Sequence, residues 1–276
     1  MKCIWIVNSQ TGSPRSFANP RYIELAKYFM QEGYRDLSLA IMKGMLYSSV
    51  GDCQIVDLYH DIDVMQHDQA PFMLGRLYSK FPVGSLHVSL VGVSSSMAGR
   101  LFAMHLGGHF FIAFDEDLMS VLAYGHEEEA EIRVYKGDGG DSMQKMADLA
   151  AACVDGSWKE QGEAWSSPRG DMKPLSAQVF ADSGRIIGDI IYVDDHNNIV
   201  TDISAEAFMK VRANFKSFSA TVGTTKVERF HSRYEDDIFP YFMPNDLGMI
   251  QIVMYGGKVT ILPRWAQNTN VEVVFG

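Results

Sequence analysis

The chain is poor in cysteine, in long apolar runs and in positive charge, and each shortage removes a class of protein. Three cysteines occur among 276 residues, Cys3, Cys53 and Cys153, odd in number and far apart. Set among apolar or small neighbours, they read as buried reduced thiols, because a disulfide framework or a zinc site needs closer, paired spacing. No stretch approaches the ~20 apolar residues that span a bilayer, and the apolar start at 3–7 is too short for the core of a signal peptide. No membrane partner and a cytoplasmic location are therefore expected. Lys and Arg number 24 against 34 Asp and Glu, a net charge of −10 that repels a phosphate backbone where no basic patch is visible. Nucleic acid is not an expected partner. Neither G-x-G-x-x-G nor G-x-x-x-x-G-K-[ST] occurs, and no G-x-S-x-G surrounds Ser94, Ser95 and Ser96. The dinucleotide, P-loop and hydrolase-elbow signatures are all missing.

What the chain does contain is ordinary globular material, 47% hydrophobic and 21% charged, enough for one large or two medium domains. An apolar strand at 3–7 breaks at the turn formers 8–14. Asn19 and Pro20 then open an expected helix through Tyr22, Leu25, Ala26, Phe29 and Met30 that ends near Gly33. Asp36 precedes a second helix with Leu37, Ile41 and Met45 at spacing four, followed by a strand at 54–58. A helical stripe at Ala70, Met73, Leu74, Leu77 and Tyr78, strands at 85–93 and 110–113, and a helix at 144–154 complete the first half. The alternation predicts an N-terminal α/β domain with a mainly parallel sheet over 1–172, its last part (156–173) a linker without apolar period. Short branched-residue runs at 186–193, 217–222, 249–254, 259–262 and 271–275 predict a C-terminal all-β, barrel-like domain over 173–276.

Several polar groupings have chemical potential. His60, His67 and Asp68, near Asp61 and Asp63, are metal-ligand types, but their spacing matches no ligand pattern and they read as a solvated loop; no metal is expected. Glu127, Glu128 and Glu129 read as a solvated face. Ser94 to Ser96 follow a strand, where they form either a binding loop or a plain polar turn. Asp36 and Ser38 stand at a helix start, where they grip a charged ligand or simply cap the helix. Asp194 to Asn198 put carboxylates and carboxamides together at a hairpin tip, a composition that turns favour for their own reasons.

Taken in order, these segments resemble the S-adenosylmethionine (SAM) hydroxide adenosyltransferases, the SAM hydrolases related to fluorinase and chlorinase. The family pattern Asp-x-[Tyr/Ser]-x-x-x-x-Lys-Gly is matched by 36–44, Val-Asp-x-x-His by Val56 to His60, and Phe-Pro-x-Gly-[Thr/Ser]-[Val/Leu] by 81–86. A fourth match runs from Gly184 through Tyr192, Val193 and Asp194 to Asn198, Ile199, Val200, Thr201, Asp202 and Ile203. Weaker ones lie at 111–115 and 248–253. The resemblance implies an N-terminal α/β domain, a C-terminal barrel, and a homotrimer whose ligand sites lie between subunits. It implies that Asp36, Ser38 and Asp194 hold the methionine part of a small adenosyl ligand and that Asn198 meets the adenine. An ammonium group needs carboxylate acceptors, and adenine suits a carboxamide's paired acceptor and donor. Ser9 and Gln10, where the family has an aspartate for the ribose, and Asp246 complete the ligand-binding candidates.

The sequence departs from the family at the water-orienting groups. Gly92 stands where hydrolases carry an aspartate, Arg100 is one place late for the accompanying arginine and is the catalytic candidate, and the histidine of a Phe-His-Gly-Arg-Asp motif has no counterpart near 139–146. Val91, Gly92 and Val93 offer no hydroxyl where fluorinase has Thr-Tyr-Pro. The expected function is SAM binding with hydrolysis to adenosine and methionine by water attack at C5′. The alternative is a non-catalytic protein that binds or senses an adenosyl ligand. In either case SAM is substrate or ligand and no further cofactor is implied.

Overall fold

In the computed structural model the described residues are 22–26, 28–29, 38–51, 53–57, 62–63, 69–90, 100–136, 141–165, 172–194, 196–223, 225–253 and 270–276. The chain divides into two compact units, Met1–Pro174 and Leu175–Gly276. The first contains β1 (Tyr22–Ala26), β2 (Tyr28–Phe29), α1 (Ser38–Val50), β3 (Gln54–Asp57), β4 (Ile62–Asp63), α2 (Gln69–Leu77) and β5 (Ser85–Ser89). It continues with β6 (Arg100–Leu106), β7 (His109–Ala113), α3 (Glu116–Ala123), β8 (Glu131–Lys136), α4 (Ser142–Asp155), α5 (Trp158–Gln161) and β9 (Glu163–Ala164).

Its sheet runs β3-β1-β5-β7-β6-β8-β9, with β2 and β4 forming a separate parallel pair. The joins from β3 to β7 are parallel and those from β7 to β9 antiparallel, so the sheet is mixed where a mainly parallel one was expected. The switch of direction comes from the two-residue hairpin Gly107–Gly108. Both glycines have positive φ, 59° and 81°, the conformation that matches a tight turn to strand twist.

Strand periodicity sorts the side chains onto two faces. Leu101, Ala103, Phe110 and Ile112 pack with Met42 and Leu46 of α1 and Met146, Ala150 and Cys153 of α4. Phe102, Met104, Phe111 and Ala113 pack instead with Leu74 of α2 and Leu118, Met119 and Leu122 of α3. Helices on both faces account for the fully buried β5 and β7. Asp115 caps α3 and Asp141 caps α4, each carboxylate accepting two backbone N–H groups of the first turn.

Three expectations are corrected. Residues 22–26 form a central strand, not the start of a helix, because β1 is paired on both edges, and this tertiary pairing overrides local spacing. In α1 the buried face is Met42 and Leu46, while Ile41 is 45% exposed, one residue off the expected stripe. Within the stretch expected as a linker, Trp158 is buried in the first core. The strand expected at 3–7 and the one at 259–262 lie outside the described residues.

The second unit holds β10 (Gln178–Phe180), β11 (Arg185–Val193), β12 (Ile199–Ser204), α6 (Ala205–Arg212), β13 (Phe218–Val222), β14 (Thr225–Val227), β15 (Arg229–Phe230), β16 (Tyr241–Pro244), β17 (Met249–Val253) and β18 (Asn270–Phe275). Its sheet runs β14-β13-β18-β11-β12-β17-β16-β15, with β10 also on β11. The two ends of this path, β14 and β15, are separated by Glu228 alone, so the sheet nearly closes on itself as a barrel. It is not all-β, since α6 packs Phe208 into the core. The Phe208 ring meets those of Phe218, Phe275, Phe242 and Phe230 at centroid distances of 5.2, 5.4, 5.5 and 5.6 Å.

β11 changes neighbours midway: residues 185–189 pair with β18, and Ile190 to Val193 with β12 through an irregular register. At the changeover the Asp189 N–H donates to Asp202 Oδ1 at 2.7 Å. The approach is close enough that a Cβ on Gly188 would lie 2.5 Å from Asp202 Oδ1 and 2.5 Å from Ile203 Cγ1. Gly188→Ala is expected to destabilise the protein by about 1–3 kcal/mol through overpacking, read as a lower denaturation midpoint.

A second weak point lies in the first unit. His87 and His109 are buried, with His87 Nε2 and His109 Nδ1 3.0 Å apart in a hydrogen bond that needs a single shared proton. Burial, then the neighbouring histidine, holds His87 well below the ordinary histidine range; burial, then His105, lowers His109. Depressed folded values mean that the native pair stays neutral while the unfolded chain takes up protons. Stability is thus complete above the unfolded value of about 6.5 and is lost as pH falls below it, by up to ~1.4 kcal/mol per pH unit for each histidine. Denaturant melts at pH 8, 6.5 and 5 are expected to show this loss, with a shallower slope in His87→Phe.

Candidate functional site

In the first unit β3, β1, β5 and β7 all end at one edge of the sheet. Across it Ala26 pairs with Ser89, Ser89 with Ala113, and Ala113 with Phe102. β1 lies between β3 and β5, so the connection leaving β1 and that leaving β3 diverge, with α1 on one face of the sheet and α2 on the other. The crevice outside the carboxyl ends at such a reversal is where open α/β sheets place ligands. α1 ends at Val50 and β3 begins at Gln54, which puts the C-terminus of α1 at the amino edge and Ser38, its first residue, at the carboxyl edge. β6 runs against β7, so Arg100 stands at the same edge, as does Asp115 at the head of α3. Topology thus brings Ser38 and Arg100 to one side of the sheet. Asp36, Ser9, Gln10 and the whole segment 91–99, with Gly92 and the serine run, lie outside the described residues, as do His60, His67 and Asp68.

Arg100 is not an open cation. Its guanidinium is ion-paired with Glu116 in the first turn of α3 and lies 5.6 Å from the Phe102 ring centroid. The arginine side chain is 53% exposed. An ion pair at such exposure contributes only ~0–1 kcal/mol, so a stronger anionic partner would displace Glu116.

In the second unit the turn after β11 is built by Asp194. Its Oδ1 accepts the N–H groups of His196 and Asn198, both at 2.8 Å, and its Oδ2 accepts the Asn198 Nδ2–H at 2.8 Å. The backbone closes in parallel, Asp194 N–H donating to Asn198 O and Asn197 N–H to Asp194 O, each at 2.9 Å. Asn197 takes the left-handed conformation at φ 61°, which asparagine tolerates. A carboxylate has about four acceptor directions, so roughly one stays available to a ligand. Burial first, and Asp194 second, push Tyr192 up to about 12, which leaves it neutral beneath the turn.

Asn198 is 2% exposed, and its Nδ2 also donates to Tyr234 Oη at 2.8 Å; Gln251 Nε2 donates to the same oxygen at 3.2 Å. Tyr234 sits in the irregular stretch 231–240, and Val200 lies opposite Gln251 in the β12–β17 register. That stretch is pinned although exposed. Asp237 accepts Arg229 Nη1 through both oxygens at 2.8 and 2.9 Å and faces His231 Nε2 at 3.0 Å. These bonds, Arg229's first, hold the Asp237 carboxyl well below the usual range. Tyr241 Oη adds a clasp, donating to Glu235 O and accepting from Glu235 N–H, both at 3.1 Å.

The structure therefore unites Asp194 with Asn198 and adds two residues the sequence reading missed. Gln251 had one signal, a lone carboxamide in the apolar run 249–254; Tyr234 had none. Asp246 does not join them. It is exposed in the turn before β17, and β17 pairs with β12 so that this turn lies near Ser204, at the opposite end of the strand from Asn198 and roughly 20 Å away at strand rise. Among the described residues no group of three or more His, Cys, Asp and Glu side chains converges as a metal site would, and no helix is long and apolar enough to cross a membrane.

Residues 32–152 match the family of the SAM hydroxide adenosyltransferase N-terminal domain. No curated protein matches the chain significantly. Among solved structures, an uncharacterized conserved protein from Thermotoga maritima is 17% identical, covering 91% of this chain and 99% of its own, with a TM-score of 0.68. A conserved hypothetical protein from Thermus thermophilus is 16% identical over 91% of this chain and 99% of its own, with a TM-score of 0.59. At these identities the neighbours share the fold alone. The matched segment, a little under half of the chain, spans α1 to most of α4 and includes both Ser38 and Arg100, so the similarity to the SAM hydroxide adenosyltransferases lies in the first unit.

Proposed function

We propose that the protein binds SAM and cleaves it with water to adenosine and methionine. The family match over 32–152 carries this reading, because it covers the segment from α1 to α4 whose strands end at the edge where α/β sheets bind ligands. In the reaction a water oxygen bonds to C5′ while the C5′–S bond breaks. The sulfonium leaves as a neutral thioether with the bonding electron pair, and the water proton passes to solvent. A positioned nucleophile in a water-poor site accounts for most of the barrier lowering in such a displacement. Arg100, once released from Glu116, is the candidate for orienting that water; Asp36 and the remaining acceptor direction of Asp194 suit the methionine ammonium, Ser38 its carboxylate, and the acceptor oxygen of Asn198, whose amide hydrogens are both engaged, the adenine amino group. Ser9 and Gln10 are proposed at the ribose. The domain assignment 1–172 and 173–276, a cytoplasmic location and a homotrimer with ligand shared between subunits belong to the same proposal.

Binding without turnover is the second reading, favoured by Gly92 in place of the family's aspartate and by the engagement of Arg100 with Glu116. Losing an orienting carboxylate costs about 10²–10⁴-fold. Incubating the protein with SAM and quantifying adenosine separates the two. Turnover is expected to give adenosine and methionine in equal amounts; a melting shift without adenosine above the spontaneous background leaves binding alone. SAM at one hundred times its Kd raises stability by ~2.7 kcal/mol, a readily measured shift. Asp194→Ala is expected to weaken adenosine roughly tenfold, because the carboxylate orients Asn198, and SAM by more, because its ammonium loses an acceptor as well. No shift with either ligand at millimolar concentration defeats the proposal.

Assembly is tested separately. Sedimentation is expected to show a species of about 93 kDa, three times 30.9 kDa, since head-to-tail contacts that close form rings. Monomer alone at micromolar concentration counts against a shared site.

A further inference from the structure

The barrel-side site has a chemical polarity that residue types alone do not reveal. Asp194 Oδ2 is a carboxylate oxygen and only accepts, so the Asn198 atom 2.8 Å from it is the amide nitrogen. That nitrogen has two hydrogens; one goes to Asp194 and the other to Tyr234 Oη, also at 2.8 Å. None is left for a ligand. Asn198 Oδ1 receives no hydrogen bond from the described residues. Nor is it a sealed orphan, since Arg133 Nε is the buried side-chain atom without a partner among them. The carboxamide therefore meets a ligand as an acceptor only.

We infer that Tyr234, acting with Asp194, locks Asn198 as a hydrogen-bond acceptor and so makes the site selective for 6-amino over 6-oxo purine nucleosides. This rests on the adenosyl-binding reading and extends it to a residue outside the family resemblance. A 6-amino group brings the N–H that Oδ1 needs. A 6-oxo group at the same place sets two acceptors against each other and leaves Oδ1 unpaired, the kind of mismatch that polar sites reject strongly. Tyr234 is a positioning residue here, and its hold on Asn198 depends on the loop clasped by Arg229, Asp237 and Tyr241.

Calorimetric titration of the full chain with adenosine and with inosine tests the inference. The unaltered protein is expected to bind adenosine at least tenfold more tightly than inosine. Tyr234→Phe frees one amide hydrogen, letting Asn198 offer a donor, and is expected to shrink the adenosine-to-inosine ratio at least severalfold. A merely structural role for the tyrosine would weaken both ligands and leave the ratio unchanged. Gln251→Leu, which removes the second anchor of Tyr234 without touching Asn198, moves the ratio in the same direction by a smaller factor and serves if Tyr234→Phe folds poorly. Equal binding of the two nucleosides, or a ratio that neither variant alters, overturns the inference while leaving adenosyl binding intact. Absence of binding by SAM, adenosine and inosine alike overturns both.

Discussion

The Asp194 carboxylate is the contact on which the polar cluster at the turn between β11 and β12 depends. One side chain takes two backbone N–H groups and one carboxamide N–H within five residues of chain, and this closes a turn that includes a left-handed asparagine. With the turn closed, Asn198 is held at 2% exposure in one orientation, and the Tyr234 hydroxyl accepts its amide from the irregular stretch 231–240. Each bond in such a network contributes only about 1 kcal/mol net, yet an unmade partner in a buried setting costs more than it would have contributed. The network consequently stands or fails as a unit.

The same logic explains how an exposed residue can be well placed. Tyr234 is 58% exposed in a stretch without helix or strand, a setting in which side chains are usually mobile. Here the chain on either side is tied down by Arg229 and His231 on Asp237 and by Tyr241 on Glu235. The Asp237 carboxyl is held well below its ordinary range, so these ties persist at neutral pH. They turn an irregular segment into part of the scaffold.

The first unit follows a different rule. At β5 and β7 its sheet is buried on both faces, and sheets of this kind place ligands at the edge where parallel strands end and helices begin. Arg100 and Asp115 reach that edge because β6 is folded back against β7 by the Gly107–Gly108 hairpin, and Ser38 because α1 returns the chain to the amino edge before β3. The edge is a consequence of connection and direction, and residue types then decide what it binds.

The sequence by itself determined the elements whose patterns are local: α2, α4, β5, β7, β11, β13, β17 and β18 all fall where periodicity places them, and the pairing of Asp194 with Asn198 is written within a single turn. Hydrogen bonds four residues apart need no knowledge of the fold. Tertiary structure decided the rest. Residues 22–26 have helical spacing yet become a strand because neighbours pair with both of their edges. α1 is apolar nearly all round, so only its packing partners select Met42 and Leu46 over Ile41. Asp246 was separated from Asn198 by the length of β12, and Tyr234 and Gln251, 36 and 53 residues further along the chain than Asn198, were brought to it by sheet register and a pinned loop. A residue's chemistry is legible in one dimension, but the direction of a donor or acceptor is fixed only once every competing partner has been placed around it.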